Sequence, residues 1–260
     1  MYHTISLATD DRGVASLSLN RPEKHNAMSA QMIAELTDAA IQLAQDPAVR
    51  VVVLASTGKS FCAGGDLGWM QEQMAADAKT RFAEARKLAE MLQSLNELPK
   101  PLIGALQGNA FGGGVGLAAV CDVALGADNL KMALTETRLG LIPATIGPYV
   151  IARMGEARAR RVFMSARLFD AAEAVDLGLL SKAVPFDHLA DAVEAEVEPY
   201  LACAPGAVAS AKSLIRTLGP RIDDKVIDQT INALVERWET DEAGEGIAAF
   251  FDQRKPNWNC

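Results

Sequence analysis

Three short runs set what this chain can fold into: VVVLA at 51–55, PLIGAL at 101–106 and DVALGA at 122–127, each separated from the next by a helical stretch. None alternates polar with apolar residues, so each suits a strand buried on both faces, as in a parallel sheet. Strand, helix, strand in repeating order needs crossover connections, and these are almost always right-handed. The expected class is α/β.

The flanking segments extend this reading. TISLAT and VASLSL bracket Asp10-Asp11-Arg12-Gly13, a β-hairpin with its turn at the glycine. RPEKHNAMS is a polar loop. Ser29 is placed to cap a helix through Asp46, with Met32, Ile33, Leu36, Ala40 and Leu43 near helical spacing. STGKSFCAGGDLGWM reads as a glycine-bearing loop, and a long helix follows from about Met74 to Leu98, ended by Pro99. Beyond about Ile146 the pattern turns almost wholly helical, with breaks at Gly155, Gly178, Pro205 and Gly219-Pro220.

Composition narrows the function classes. The chain has 260 residues and is 50% hydrophobic, enough for a sizeable core. A net charge of -8 speaks against nucleic acid, whose phosphates need clustered Lys and Arg. Residues 101–121 carry no charge, but six glycines, Gln107 and Asn109 argue against a membrane helix. The start, MYHTISLATDDRG, shows no basic stretch followed by an apolar one, so no signal peptide is visible. Cys62, Cys121, Cys203 and Cys260 lie far apart with no CxxC pair. They read as free thiols in a reducing, cytoplasmic compartment, with no metal site.

The stretch NAFGGGVGLAAVCD poses the chemical question. Gly112, Gly113, Gly114 and Gly116 crowd the start of a helix, where each glycine costs about 1 kcal/mol relative to alanine. Either something approaches the backbone closely, or the helix packs tightly on a neighbour. TGKS (57–60) lacks the upstream glycine of a phosphate loop, since Val53 stands there, and 112–116 lacks the G-x-G-x-x-G of dinucleotide binding. His3, His25 and His188 lie beside no candidate nucleophile, which leaves Glu and Asp as acid–base groups. FCAGGDL and FGGGVGL each follow a buried strand and lead into a helix. Ligands of open α/β sheets bind at such strand ends. Backbone N–H groups from two such loops can converge on one oxygen and form an oxyanion hole.

SLNRPEKHNAMS, SFCAGGDL, GNAFGGGVGLAAVCD, TETRLGLIPATIGPY and FFDQRKPNW come in this order along the chain. With them the sequence resembles the enoyl-CoA hydratase/isomerase (crotonase) superfamily over essentially its whole length. DLGWM and LIPATIGPYV look most like the bacterial methylglutaconyl-CoA and carboxygeranoyl-CoA hydratase branch. The resemblance implies a crotonase-like ββα spiral core over 1–195 and a helical trimerisation region over 196–260. It implies an acyl-CoA substrate, no separate cofactor, and a homotrimer or dimer of trimers, with Trp238, Phe250, Phe251 and Trp258 among the assembling apolar residues.

By motif position the two oxyanion N–H groups belong to Gly65 and Gly113. Of the two glutamates usual in family hydratases, the second matches Glu136, the best acid–base candidate. The first falls on Gly116, a departure that should enlarge the pocket and make it less negative, which suits a branched or carboxylate-bearing acyl group. Arg138 either pairs with Glu136 or meets an acyl carboxylate. Trp69 either lines the acyl pocket or packs beneath it. Ala63 joins the substrate-binding set. Lys24 and His25 are expected near CoA, with Arg254 or Lys255 from a neighbouring subunit. The leading expectation is an enoyl-CoA hydratase. A single glutamate also suits an enoyl-CoA isomerase, and loss of the first glutamate suits a non-catalytic acyl-CoA binder.

Overall fold

The hairpin and the three apolar runs join one six-stranded sheet. The computed structural model describes residues 1–259. Its strands are β1 (Ile5–Thr9), β2 (Val14–Leu19), β3 (Val51–Ser56), β4 (Ser60–Cys62), β5 (Leu102–Leu106), β6 (Asn109–Phe111), β7 (Val123–Ala127), β8 (Lys131–Ala133), β9 (Phe169–Asp170) and β10 (Lys182–Val184). The larger sheet runs β1-β2-β3-β5-β7-β10, antiparallel only between β1 and β2. Along β3, Val52 and Leu54 enter the main core, while Val51 and Val53 face the opposite side with Ile103, Leu125 and Val193. Burial on both faces explains why the run shows no alternation.

The other strands form a smaller sheet, β4-β6-β8-β9, parallel except for the β8–β9 pair. From β3 to β8 the chain alternates between the sheets, one strand in each. This is the ββα spiral that the motifs implied.

The helices are α1 (Ala30–Gln45), α2 (Leu67–Ala75), α3 (Ala78–Asn96), α4 (Gly113–Val120), α5 (Gly147–Met154), α6 (Glu156–Ala159), α7 (Ala171–Asp176), α8 (Leu189–Leu201), α9 (Pro205–Leu218), α10 (Asp224–Trp238) and α11 (Asp241–Phe251). Ser29 caps α1 as expected, its side chain accepting from the Met32 N–H at 3.3 Å. The long helix expected from about Met74 to Leu98 is α3, and a separate helix, α2, begins within the stretch read as a loop. Asp66 starts α2 by accepting from the N–H groups of Gly68 and Trp69, and Asp77 starts α3 by accepting from Thr80 N–H at 2.8 Å. Two Asp caps in a row force a break that apolar spacing does not reveal. The glycine loops also hold β4 and β6, and β10 beyond residue 146 completes the large sheet, so that region is not purely helical. Strands of two or three residues are too short to show a period. Residues 195 and 196 both lie inside α8.

The C-terminal helices fold back on their own chain. Ile227 and Ile231 of α10 pack on Ala85 and Ala89 of α3. Ala243 and Ile247 of α11 pack with Leu139 and Leu141. That contact is close: a β-carbon on Gly246 would stand 2.5 Å from the Leu139 carbonyl carbon. Arg237 adds two hydrogen bonds to the Gly140 carbonyl. Helix α9 has no buried residue and exposes Leu214, Ile215 and Leu218. Cys62, Cys121 and Cys203 are free thiols, whereas Cys260 lies outside the described residues. Among those residues, no helix is long and apolar enough to cross a membrane.

Candidate active site

Two strand ends of the smaller sheet build one end of the site. β4 runs into Ala63-Gly64-Gly65, and this loop is pinned to the segment before α1: Met28 N–H donates to the Gly64 carbonyl at 2.7 Å, and Asp66 N–H to the Met28 carbonyl at 2.9 Å. Asp66 also pairs with Arg21 at 3.0 Å, which gives it a structural role. β6 runs into Gly112, whose φ of 48° and ψ of -114° suit glycine and few other residues. The next residue, Gly113, opens α4, so its N–H has no partner within the helix and carries the positive end of the helix dipole. Gly65 N–H likewise finds no backbone acceptor among the described residues. The loops meet: a β-carbon on Gly64 would stand 4.0 Å from Gly113 N. Both glycines line one cavity.

Glu136 completes this end. It opens the one-turn 3-10 helix Glu136–Leu139 that follows β8. Its Oε2 is shut off from solvent and has no hydrogen-bond partner among the described residues. Buried polar atoms rarely go unpartnered, and this one lies in a cavity wall. Burial pushes the Glu136 carboxyl up from its ordinary 4.5 to about 7, while its own backbone N–H pulls weakly the other way. A carboxyl titrating near neutral pH can both take and return a proton.

The cavity holds about 430 Å³. Gly65, Gly113, Glu136 and Ala63 are all part of its lining. α2 supplies Leu67, Trp69 and Met70, so Trp69 is a wall residue; its indole N–H reaches Glu84 at 3.5 Å. Arg138 also lines the cavity, is exposed, and makes no ion pair with Glu136 or any other described carboxylate. Lys24 and His25 are exposed and outside the cavity, although His25 accepts from Ala63 N–H at 3.0 Å and so borders its rim.

Gly116 is not a cavity residue, contrary to expectation. The Ile146 side chain covers it: a β-carbon on Gly116 would overlap Ile146 Cγ2 and stand 2.9 Å from Ile146 Cβ. Ile146 itself lines the cavity. An aliphatic side chain therefore takes the space that a carboxylate at 116 would need, and the fourth glycine serves close packing. Trp238 and Phe250, read from sequence as assembly residues, line the cavity of their own chain, together with Leu234. Which helix folds back over the site is a long-range property, and local periodicity carries no signal of it. Arg254 pairs with Glu245 and Asp252 of its own chain.

The family model for enoyl-CoA hydratase/isomerase matches residues 9–260. The chain belongs to this family. A crotonyl-CoA hydratase of Syntrophomonas wolfei is 31% identical over 260 residues, covering 99% of this chain and 98% of that one. The crystal structure of an enoyl-CoA hydratase from Mycobacterium avium superposes with a TM-score of 0.86 at 30% identity and covers 100% of both chains. Another from Shewanella pealeana has a TM-score of 0.81 at 35% identity, covering 98% of this chain and 96% of that chain. The crotonase-like spiral is thus the family's fold, and in this chain Ile146 lies over Gly116.

Proposed function

We propose that this protein is an enoyl-CoA hydratase, adding water across the double bond of an α,β-unsaturated acyl-CoA thioester. The observation that carries the proposal is the unpartnered Oε2 of Glu136 in a cavity that Gly113 also lines, with Glu136 Oε1 packed against Gly112. The thioester oxygen accepts from Gly65 and Gly113 N–H. Ionised Glu136 takes a proton from water as the water oxygen bonds to the β-carbon. The π electrons move toward the thioester oxygen, giving an enolate that the two donors and the α4 dipole stabilise. Glu136 then returns its proton to the α-carbon, on the same face. Likeness to the named hydratases supports the same reading. Crotonyl-CoA should lose its conjugated-thioester absorbance when mixed with the protein. Binding without that loss would identify an acyl-CoA binder instead.

The acyl group is proposed to be branched or to carry a carboxylate, as 3-methylglutaconyl-CoA does. The unpaired Arg138 on the cavity wall supports this, because a buried carboxylate needs a cation. Arg138→Gln should then lower kcat/KM for 3-methylglutaconyl-CoA at least about tenfold and leave crotonyl-CoA within about twofold, a charge-assisted bond being worth ~1.5–3 kcal/mol. Equal loss on both substrates would refute it. Lys24 and His25, at the rim, are proposed for the nucleotide end of CoA.

Ile146 favours a second reading. With no second carboxylate to hold water, a lone Glu136 also serves a 1,3-proton shift in a 3-enoyl-CoA. Faster turnover of a 3-enoyl ester than of crotonyl-CoA would select the isomerase. The exposed Leu214, Ile215 and Leu218 of α9 support a homotrimer or dimer of trimers; light scattering from a stable monomer would contradict it.

A further inference from the structure

One arginine spans the break between α2 and α3. Arg81, in the first turn of α3, reaches back: Nε donates to the Gln73 carbonyl at 2.8 Å and one terminal nitrogen donates to the Met74 carbonyl at 3.1 Å. These are last-turn carbonyls of α2, of which Gln73 also accepts from the Ala76 N–H at 3.3 Å. The same guanidinium lies over Trp238, 5.4 Å from the ring centroid, and pairs with Glu239. Its side chain is only 10% exposed. One side chain therefore joins the end of α2 to the end of α10. Both helices wall the acyl cavity, α2 through Trp69 and Met70 and α10 through Leu234 and Trp238.

Besides this grip, α2 is tied to α3 by the Trp69 indole N–H to Glu84 at 3.5 Å. Gln73 is its one buried residue, so burial alone does not set its place. A planar guanidinium can fork onto two carbonyls while its face stacks on an aromatic ring, and an ammonium cannot do both. Arg86 also ties α3 to α10, through Asp224 and Asp228, but it touches neither α2 nor the cavity.

We propose that Arg81 is a positioning residue that sets the width of the acyl cavity by holding α2 against α10, and so selects acyl-chain size. This rests on the reading of the cavity as an acyl-CoA site. In Arg81→Met, α2 loosens: KM for a four-carbon enoyl ester rises more than kcat falls, because Glu136 and the glycine loops stay in place. The kcat/KM ratio of a ten-carbon to a four-carbon ester shifts about tenfold toward the longer one, the scale on which apolar pockets discriminate chain length. Amide hydrogen exchange over 67–75 accelerates while α1 and α5 keep their protection. Arg81→Lys restores the ion pair but not the double grip, so exchange over 67–75 stays fast. Arg86→Met changes neither measure. Unchanged exchange over 67–75 together with an unchanged ratio in Arg81→Met overturns the proposal, as does an identical response in Arg86→Met. If Arg81→Met loses protection throughout the fold, Glu239→Gln, an exposed partner, takes its place: a smaller shift in the same direction supports the proposal and no shift overturns it. The exchange measurement needs no turnover, so a wild-type protein inactive on every enoyl ester would sink the acyl-CoA reading, not the grip on α2.

Discussion

Glu136 Oε1 lies where a side chain on Gly112 would begin: a β-carbon there would stand 3.0 Å away. The Glu136 carboxyl is thus packed against the residue that precedes Gly113. One group can therefore serve both carbons of a double bond whose thioester is held at Gly113.

Activity should follow the ionisation of Glu136. The base must be charged to accept a proton, so kcat/KM rises as pH climbs through about 7 and levels off above it. Glu136→Gln should lower turnover about 10²–10⁴-fold, lose that acid limb and keep its affinity for CoA esters. Near-wild-type rates in this variant would remove Glu136 from the mechanism.

Stability should run the other way. The folded protein holds the Glu136 proton to about pH 7, while the unfolded chain releases it near 4.5. Below 4.5 both states are protonated and the group is neutral to stability. Between 4.5 and 7 the unfolded chain binds fewer protons, so stability falls as pH rises, by on the order of 3 kcal/mol once above 7. Glu136→Gln should melt above the wild type at pH 8 and level with it near pH 4.5. Calorimetry showing the wild type more stable at pH 8 would refute a strained, charged carboxylate.

Gly116→Glu, which would restore the family's first carboxylate, should fail alone. Its β-carbon already meets Ile146, so overpacking costs about 1–3 kcal/mol and the carboxylate does not reach substrate. Adding Ile146→Ala vacates the space. The double variant should regain thermal stability relative to Gly116→Glu and hydrate crotonyl-CoA faster than it. A single variant as stable as the wild type would show that Ile146 moves freely.

Gly112→Ala tests the packing at the head of the site. A φ of 48° with ψ of -114° lies in a region that costs an alanine on the order of 1–3 kcal/mol. The new methyl also pushes Glu136 Oε1, and kcat should drop at least about tenfold, since small displacements of a catalytic group are expensive. An unchanged kcat in a folded variant would mean that the carboxylate has room to spare.

The parts of the site made from local backbone were legible in the sequence. Gly65 and Gly113 stand in loops that announce themselves by clustered glycine between an apolar run and a helix. Glu136 was legible only through the family motif, because one glutamate in a short polar turn has no local signature. Ile146, Trp238 and Arg81 were not legible at all. Their roles depend on which distant surface each meets, 30 residues from Gly116 in the first case and across the α3–α10 contact in the others. The large sheet followed from its apolar runs. The small one did not, since β4, β6 and β8 are three residues each.

The seating of α11 on the turn that begins with Glu136 has a consequence for biosynthesis. Gly246 admits the Leu139 backbone, and Arg237 grips the Gly140 carbonyl, so helices made after every strand hold the turn that carries Glu136. Chains emerge from the ribosome N-terminus first and fold domain by domain. The glycine loops and most of the two sheets are complete while this helix is still being made. A nascent chain can therefore have both glycine loops in place before the turn that carries Glu136 is seated.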